Sequence, residues 1–198
     1  ILLVLRQSSA VPPREFRPQI VAQNWLRDAE AVIELGGYPA FPALAQCSHD
    51  SGSSSIRWYI AAFEWMARNA ANTAREVFSR GAWIASHDAT LNHCYRDPQG
   101  EWHFEYPYDP ICQADRPGRT IMDDDNTLIG HRVPIQLLKE HFGLVVPVIS
   151  TEGGVFAPHD GSLQWDPRYP GYDVHGHAER TVAMYRWLEA NTPEYYFG

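Results

Sequence analysis

The chain has 198 residues, of which 44% are hydrophobic and 20% charged, a composition typical of a folded globular protein and not of a disordered or fibrous one. A formal net charge of −8 argues against a nucleic-acid partner, because binding to phosphates needs a basic surface. No apolar stretch approaches the ~20 residues that cross a bilayer, so we expect no membrane partner.

Predicted strands and helices alternate along the first part of the chain. The apolar run at residues 1–5 predicts a short strand. Apolar residues at helical spacing predict a helix over residues 18–35, which Gly36 and Gly37 end as C-terminal glycines do. Residues 38–45 predict a second short strand, although they include two prolines.

The alternation continues through the rest of the chain, with two long loops. Apolar residues recur at helical spacing from Ile56 to Arg80 and predict one helix, which Gly81 ends. The remaining predicted elements are a strand at 82–87, a loop from 87 to about 130, a helix at 134–141 ended by Gly143, a strand at 145–151, a loop to about 176 and a helix at 178–190. Loops this long inside a compact domain are usually functional or disordered, and the first is too aromatic for disorder.

This order of elements predicts an α/β fold. Strands that alternate with helices, without hairpin signals, form a parallel sheet. The long loops follow strands, which favours a (β/α)8 barrel, and no glycine-rich phosphate motif indicates a doubly wound nucleotide-binding sheet. A complete barrel takes ~250 residues, so we expect residues 1–198 to form a single domain, the C-terminal half of a barrel with about four βα units.

One strand leads directly into a carboxylate. The segment VPVISTEGG, residues 146–154, continues from an apolar run into Glu152 and then into two glycines. A strand end can hold a carboxylate rigidly, and glycines beside it allow a substrate to approach closely. Retaining glycosidases need two carboxylates about 5 Å apart. We expect Glu152 to lie at the mouth of the barrel; the alternative is a strand end whose carboxylate faces solvent or forms a salt bridge.

This segment resembles the seventh strand of the large clan of retaining (β/α)8 glycoside hydrolases, which includes the cellulase-like families. There Thr-Glu-x-Gly follows a Pro and an apolar run, and the Glu is the catalytic nucleophile. The matching residues here are Pro147, Thr151, Glu152 and Gly154. The segment GAWIASHD is similar to the sixth strand of the clan, where a His lines the sugar site, and that residue is His87 here.

The resemblance implies hydrolysis of a glycosidic bond by a retaining mechanism, with Glu152 as nucleophile. The clan has His-x-Tyr on its sixth strand, whereas this chain has Ala89 in place of the Tyr. The acid/base Glu of the clan follows an Asn at the end of the fourth strand, and these 198 residues contain no Asn-Glu pair. We expect a carbohydrate substrate, no cofactor, and the other half of the barrel as the partner that supplies the acid/base.

Polar residues at the start of the first long loop are candidates for substrate binding. His87, Asn92 and His93 have side chains that can hydrogen-bond sugar hydroxyls, although polar residues at strand ends often satisfy only the loop backbone. His87, Asp88 and His93 also permit an alternative function, a metal-dependent hydrolase with three converging ligands.

Aromatic residues of the two loops are a second group of candidates. Trp102 and Tyr108 of the first loop and Trp165 of the second have flat faces that suit pyranose rings. The alternative is a small aromatic core under the loop, which is the favoured interpretation for Phe104. A further alternative function is a non-catalytic barrel relative that binds carbohydrate.

Three remaining features indicate no separate site. The acidic run at 123–126 lacks the calcium-loop pattern and predicts a solvated turn. The segment HGH at 175–177 begins a helix and predicts capping and surface positions. The cysteines Cys47, Cys94 and Cys112 form no disulfide framework; pairing of the last two and free thiols both stay open.

Overall fold

The computed structural model describes residues 17–44, 55–124, 126–157 and 165–197. The strand predicted at residues 1–5 and Cys47 lie outside these ranges. Within them the helices are α1 (Pro18–Glu34), α2 (Ser55–Asn69), α3 (Ala71–Ser79), α4 (Pro110–Asp115), α5 (Arg132–Phe142) and α6 (Val174–Asn191). The strands are β1 (Ala40–Phe41), β2 (Trp83–Thr90), β3 (Tyr95–Arg96), β4 (Trp102–His103) and β5 (Val148–Val155).

Helix α1 forms where the apolar spacing predicted it. Pro18 occupies the first position, where its missing N–H costs no helical hydrogen bond. Trp25, Ala29 and Ile33 follow at helical spacing and are buried, so this face packs on the rest of the core. Gly36, with φ of 78°, lies just past the helix end.

The single helix predicted from Ile56 to Arg80 is wrong, because the chain turns at Ala70. That residue has φ of −148° and ψ of 35°, which separates α2 from α3. Backbone hydrogen bonds nevertheless continue across the junction, from Ala70 N to Met66 O and from Ala74 N to Ala70 O. Both helices bury their apolar faces in the same core, so the apolar spacing passes through the break without a visible interruption.

The long loop after β2 contains structure that the sequence did not indicate. Strands β3 and β4 pair as an antiparallel hairpin, so the expectation of no hairpin is wrong. Gly100, with φ of 95°, closes the turn between them, and Asp97 accepts a hydrogen bond from the Glu101 backbone. Two-residue strands are too short for an alternating pattern to identify.

The main sheet is parallel, with the strand order β1-β2-β5. Phe41 pairs with Ile84, and Ile84 pairs with Val148. A short segment after α6 extends the sheet beyond β5, because Val148 donates to Tyr195 O at 2.7 Å and Phe197 donates to Val148 O at 2.8 Å. This parallel bridge was not predicted.

The helices pack on one face of this sheet. Phe41, Ile84 and Val148 are fully buried and belong to the core that α1, α2, α3 and α5 also form. Val155, at the end of β5, and Met184 of α6 belong to a second buried apolar cluster. The prediction of an α/β fold with a parallel sheet is therefore confirmed. We refer to the opposite side of the sheet as the open face. Among the helices in the described ranges, none has the length and apolar character to cross a membrane.

Candidate functional site

A β-bulge in β5 brings Glu152 to the open face. Ser86 pairs with Ser150, but the next residue of β2, His87, pairs with Glu152. Thr151 is therefore an extra residue in β5, and its hydroxyl donates to Ser86 O at 3.2 Å. Because side chains alternate between the faces of a strand, regular pairing would have placed Glu152 on the helix-covered face. Bulges of this kind commonly redirect side chains beside functional sites.

Glu152 and His87 form a pair on neighbouring parallel strands. The Oε2 atom of Glu152 lies 4.0 Å from the Nε2 atom of His87. This distance is too long for a hydrogen bond, so the interaction is electrostatic and requires a protonated imidazole. The Glu152 side chain is 77% exposed and that of His87 27%. We expected a rigidly held carboxylate at the mouth of a barrel; among the described residues the Glu152 side chain faces solvent, as the alternative interpretation had it.

The two glycines after Glu152 have separate structural causes. A Cβ atom on Gly153 would lie 2.8 Å from the Asp88 carbonyl oxygen and 3.0 Å from the Ser150 hydroxyl, so β5 passes too close to β2 for any side chain there. Gly154 has φ of 100°, which favours glycine. Gly153 therefore allows the close contact of the two strands next to the Glu152–His87 pair, whereas Gly154 allows the positive φ after it.

Asp88 lies on the other face from its neighbour His87 and is 1% exposed. Its carboxylate accepts hydrogen bonds from the Ser86 hydroxyl at 2.6 Å and from the His131 backbone N–H at 3.0 Å. His93 lies elsewhere, in the loops, and hydrogen-bonds the Asn126 carbonyl oxygen at 2.9 Å. The alternative metal site of His87, Asp88 and His93 is therefore wrong. The part of the chain that the structure describes contains no group of three His, Cys, Asp or Glu side chains placed to hold a metal.

Asn92 and His93 join the two long loops. Asn92 is 1% exposed; its side-chain amide donates to Asp166 O at 2.9 Å, and its carbonyl accepts from Asp166 N at 2.9 Å. His93 is 3% exposed and stacks on Tyr106 with 3.6 Å between ring centroids. Burial lowers the pKa of His93, an effect that the Asn126 carbonyl and nearby carboxylates only partly oppose. Both side chains are engaged inside the loops, and their contact with a sugar stays a prediction.

Charged residues that the sequence did not single out complete this loop network. Arg168 donates from Nε to Asp166 at 2.9 Å and from Nη1 to Asp115 at 2.9 Å. The Tyr169 hydroxyl donates to Asp109, which also caps α4. The partners lie far apart in the sequence, and only the Asp-x-Arg spacing at 166–168 gave a local signal.

The acidic run at 123–126 is also part of this network. Asp124 accepts hydrogen bonds from Arg119 at 2.9 Å and from the Tyr106 hydroxyl at 2.7 Å, with its side chain 9% exposed. The prediction of a solvated acidic turn is therefore wrong for Asp124. Asp123 instead accepts from Thr120 on the exposed side.

The predicted aromatic platforms occupy different environments. The Trp165 ring stacks on Tyr172 at 4.6 Å, and the Arg180 guanidinium lies between Tyr172, at 4.3 Å, and Trp102, at 5.1 Å. Trp102 and Trp165 are thus the two ends of one half-buried stack. Tyr108 is 47% exposed. Phe104 is fully buried, as the small-core interpretation expected. Sugar contacts for Trp102, Tyr108 and Trp165 stay predictions.

The remaining sequence features have structural roles. Asp173 caps α6 by accepting from Gly176 N, and His177 donates from Nε2 to Val155 O at 2.9 Å. Cys94 and Cys112 are free buried thiols in two separate apolar clusters.

Comparison of the chain with protein-family models, curated proteins and solved structures finds no match to any of them. The assignment of the site therefore depends on its own geometry.

Proposed function

We propose that this chain forms one side of a (β/α)8 barrel and that it hydrolyses a glycosidic bond by a retaining mechanism. Three features of the sheet support the proposal. Its strands follow chain order, they are parallel, and their helices lie on one face, whereas a doubly wound sheet has helices on both. The parallel bridge between Val148 and Tyr196, which follows α6, continues the sheet in the same order.

The observation that carries the proposal is the pairing of Glu152 with His87 across the bulge. It places a carboxylate on the open face inside β5, three residues before the carboxyl end of that strand and not at the end itself, where it was predicted. The carboxyl ends of parallel strands are where barrel enzymes have their active sites. In the first step a Glu152 oxygen bonds to the anomeric carbon, while the bond from that carbon to the leaving oxygen breaks. An acid group protonates the leaving oxygen, and water later releases the sugar from Glu152.

None of the 198 residues is assigned the acid/base role, since the sequence contains no Asn-Glu pair. The acid/base Glu would lie on another strand of the barrel. His87 is assigned to the orientation of Glu152 and of the substrate. Trp102, Tyr108 and Trp165 are assigned to sugar stacking.

Covalent labelling of Glu152 tests the nucleophile without any need for the acid. A 2,4-dinitrophenyl 2-deoxy-2-fluoroglycoside carries a leaving group that departs as a stable anion, so its displacement needs no protonation. The fluorine slows release of the sugar, and intact mass spectrometry then records one added fluoroglycosyl group. A panel of β-gluco, β-galacto, β-manno and β-xylo reagents covers the unknown sugar.

We expect peptide mapping to find the label on Glu152. Glu152→Gln abolishes labelling, whereas Glu101→Gln, an exposed carboxylate in the β3–β4 turn, leaves it unchanged. A label on another residue, or no label from any reagent, would refute the assignment.

A second candidate is a barrel relative that binds carbohydrate without cleaving it. The 77% exposure of the Glu152 side chain, and a sequence without an Asn-Glu pair, are the observations that favour this function over hydrolysis. Calorimetric binding of oligosaccharides by a protein that no fluoroglycoside labels would identify this function.

A further inference from the structure

A buried carboxylate behind the candidate site connects three parts of the fold. Asp88 accepts from Ser86 of its own strand, from the backbone of His131 at the start of α5, and from the Tyr196 hydroxyl at 3.3 Å. Its side chain is 1% exposed, so these donors take the place of water around the charge. If one donor were lost, the buried carboxylate would keep an unsatisfied hydrogen-bond site, which costs free energy. The three parts of the fold therefore depend on one another through Asp88.

Tyr196 links this carboxylate to β5. Burial raises the pKa of the Tyr196 phenol, the negative charge of Asp88 raises it further, and a hydrogen bond with the Ser150 side chain partly offsets both. The Ser150 hydroxyl also lies 3.1 Å from the Glu152 carbonyl oxygen, so its single proton is donated either to that oxygen or to the Tyr196 oxygen. The Tyr196 hydroxyl therefore lies between Asp88 on β2 and the serine that contacts the backbone of Glu152.

The position of this network fits a role in orienting the Glu152–His87 pair. Asp88 follows His87 in β2, and its pairing partner Gly153 follows Glu152 in β5. The two pairs are consecutive in the ladder, with the carboxylate of one pair on the open face and that of the other in the interior. A shift of Asp88 relative to β5 would therefore change the separation of Glu152 and His87.

We propose that Asp88 and Tyr196 are positioning residues, which fix the backbone of β5 so that Glu152 faces the open side of the sheet beside His87. This inference rests on the proposed function for its catalytic meaning. Removal of the Tyr196 hydroxyl is the most specific test of this role, because it deletes one hydrogen-bond donor and no apolar contact.

The test compares Tyr196→Phe with Tyr195→Phe in the full chain. Tyr195 is the adjacent residue and is half-buried. The charge that affects the pKa of its hydroxyl is that of Arg132, not that of Asp88. The first measurement is amide hydrogen exchange of residues 151–154, which requires no activity. The second is the rate of fluoroglycoside labelling, separated into the reagent's binding constant and the maximal rate of attack.

We expect Tyr196→Phe to increase exchange of residues 151–154 about tenfold, with no such change in Tyr195→Phe. The maximal rate of labelling should fall about tenfold, while the reagent's binding constant stays within about twofold, because orientation affects attack and not binding. Asp88→Asn should change both measurements in the same direction and further. Unchanged exchange in Tyr196→Phe, or equal changes in both Tyr→Phe variants, would overturn the positioning role.

The two proposals fail separately. If the wild-type protein takes no label, the nucleophile assignment fails, and hydrogen exchange still decides whether Tyr196 fixes β5. If the wild-type protein is labelled and Tyr196→Phe is labelled at the same maximal rate, the positioning role fails and the nucleophile assignment stands.

Discussion

Glu152 lies beside His87, with 4.0 Å between Oε2 and Nε2, because β5 contains one residue more than β2 over the paired segment. The extra residue is Thr151. In a regular ladder Thr151 would be opposite His87, and Glu152 would lie on the face that the helices cover. The candidate site thus depends on a local irregularity of the sheet at the residue before the carboxylate.

His87→Gln should slow fluoroglycoside labelling of Glu152 by about threefold, since an exposed ion pair contributes only ~0.2–1 kcal/mol. Labelling kinetics of the wild type and the variant, measured with the same reagent, check this effect. His141→Gln in the last turn of α5 is the control, because that residue is distant in the fold from β2. A loss as complete as that of Glu152→Gln would show that His87 takes part in the chemistry itself.

Gly153→Ala should destabilise the protein by about 1–3 kcal/mol, because the new Cβ cannot be accommodated without a shift of the strand backbone. That atom would lie 2.8 Å from the Asp88 carbonyl oxygen. Urea unfolding followed by tryptophan fluorescence measures the difference. Gly130→Ala is a matched control, since its nearest neighbour, the Thr127 carbonyl oxygen, would be 3.4 Å away. Equal stability of the two variants would show that β5 can move away from β2 at little cost.

The sequence predicted the helices and strands whose apolar residues recur at regular spacing. Apolar spacing identified α1 and the strand leading to Glu152, because one buried face imposes a period on the residues that form it. It failed at Ala70, where the period continues through a turn of the chain. It also failed at Thr151, because an inserted residue in a strand leaves no mark on composition or spacing.

The interactions between distant residues could not be predicted at all. Asn92 binds the backbone of Asp166, and Asp109 accepts from Tyr169, across long stretches of sequence. In the sequence, nothing distinguishes these partners from other polar residues, because they come together only when the loops fold. The role of Asn92 as a connector between loops was therefore not recognisable from its position after a strand.

Cys94 and Cys112 should resist alkylation in the folded protein. Burial raises the pKa of the Cys94 thiol to about 11 and raises that of Cys112 as well. At pH 8 only about one Cys94 in a thousand would then be the reactive thiolate. We expect iodoacetamide at pH 8 to modify both at least ~100-fold faster in urea than in buffer, as measured by peptide mass spectrometry. A Cys94–Cys112 disulfide, or rapid modification of the folded protein, would contradict their separate buried positions.

Asp166→Asn should destabilise the packed loops in a pH-dependent manner. Burial raises the pKa of the Asp166 carboxyl, but hydrogen bonds and the positive charge of Arg168 outweigh burial and bring it from 3.8 to about 2. A lowered pKa in the folded state stabilises the protein above the unfolded value, and this contribution is lost as the pH falls from about 4 to about 2. The shift corresponds to about 2 kcal/mol at pH 7 and about half of that at pH 3.

Urea unfolding of wild type and Asp166→Asn at pH 7 and pH 3 measures this difference, which should narrow at the lower pH. Asp115→Asn is the matched control, because Asp115 also contacts Arg168 at 2.9 Å but has a side chain that is 54% exposed. That variant should lose no more than ~0.5 kcal/mol at either pH, since solvent screens an exposed pair. A destabilisation of Asp166→Asn that is the same at both pH values would assign the effect to lost packing or hydrogen bonds. In that case the charge of Asp166 would not be what holds the second loop against the first.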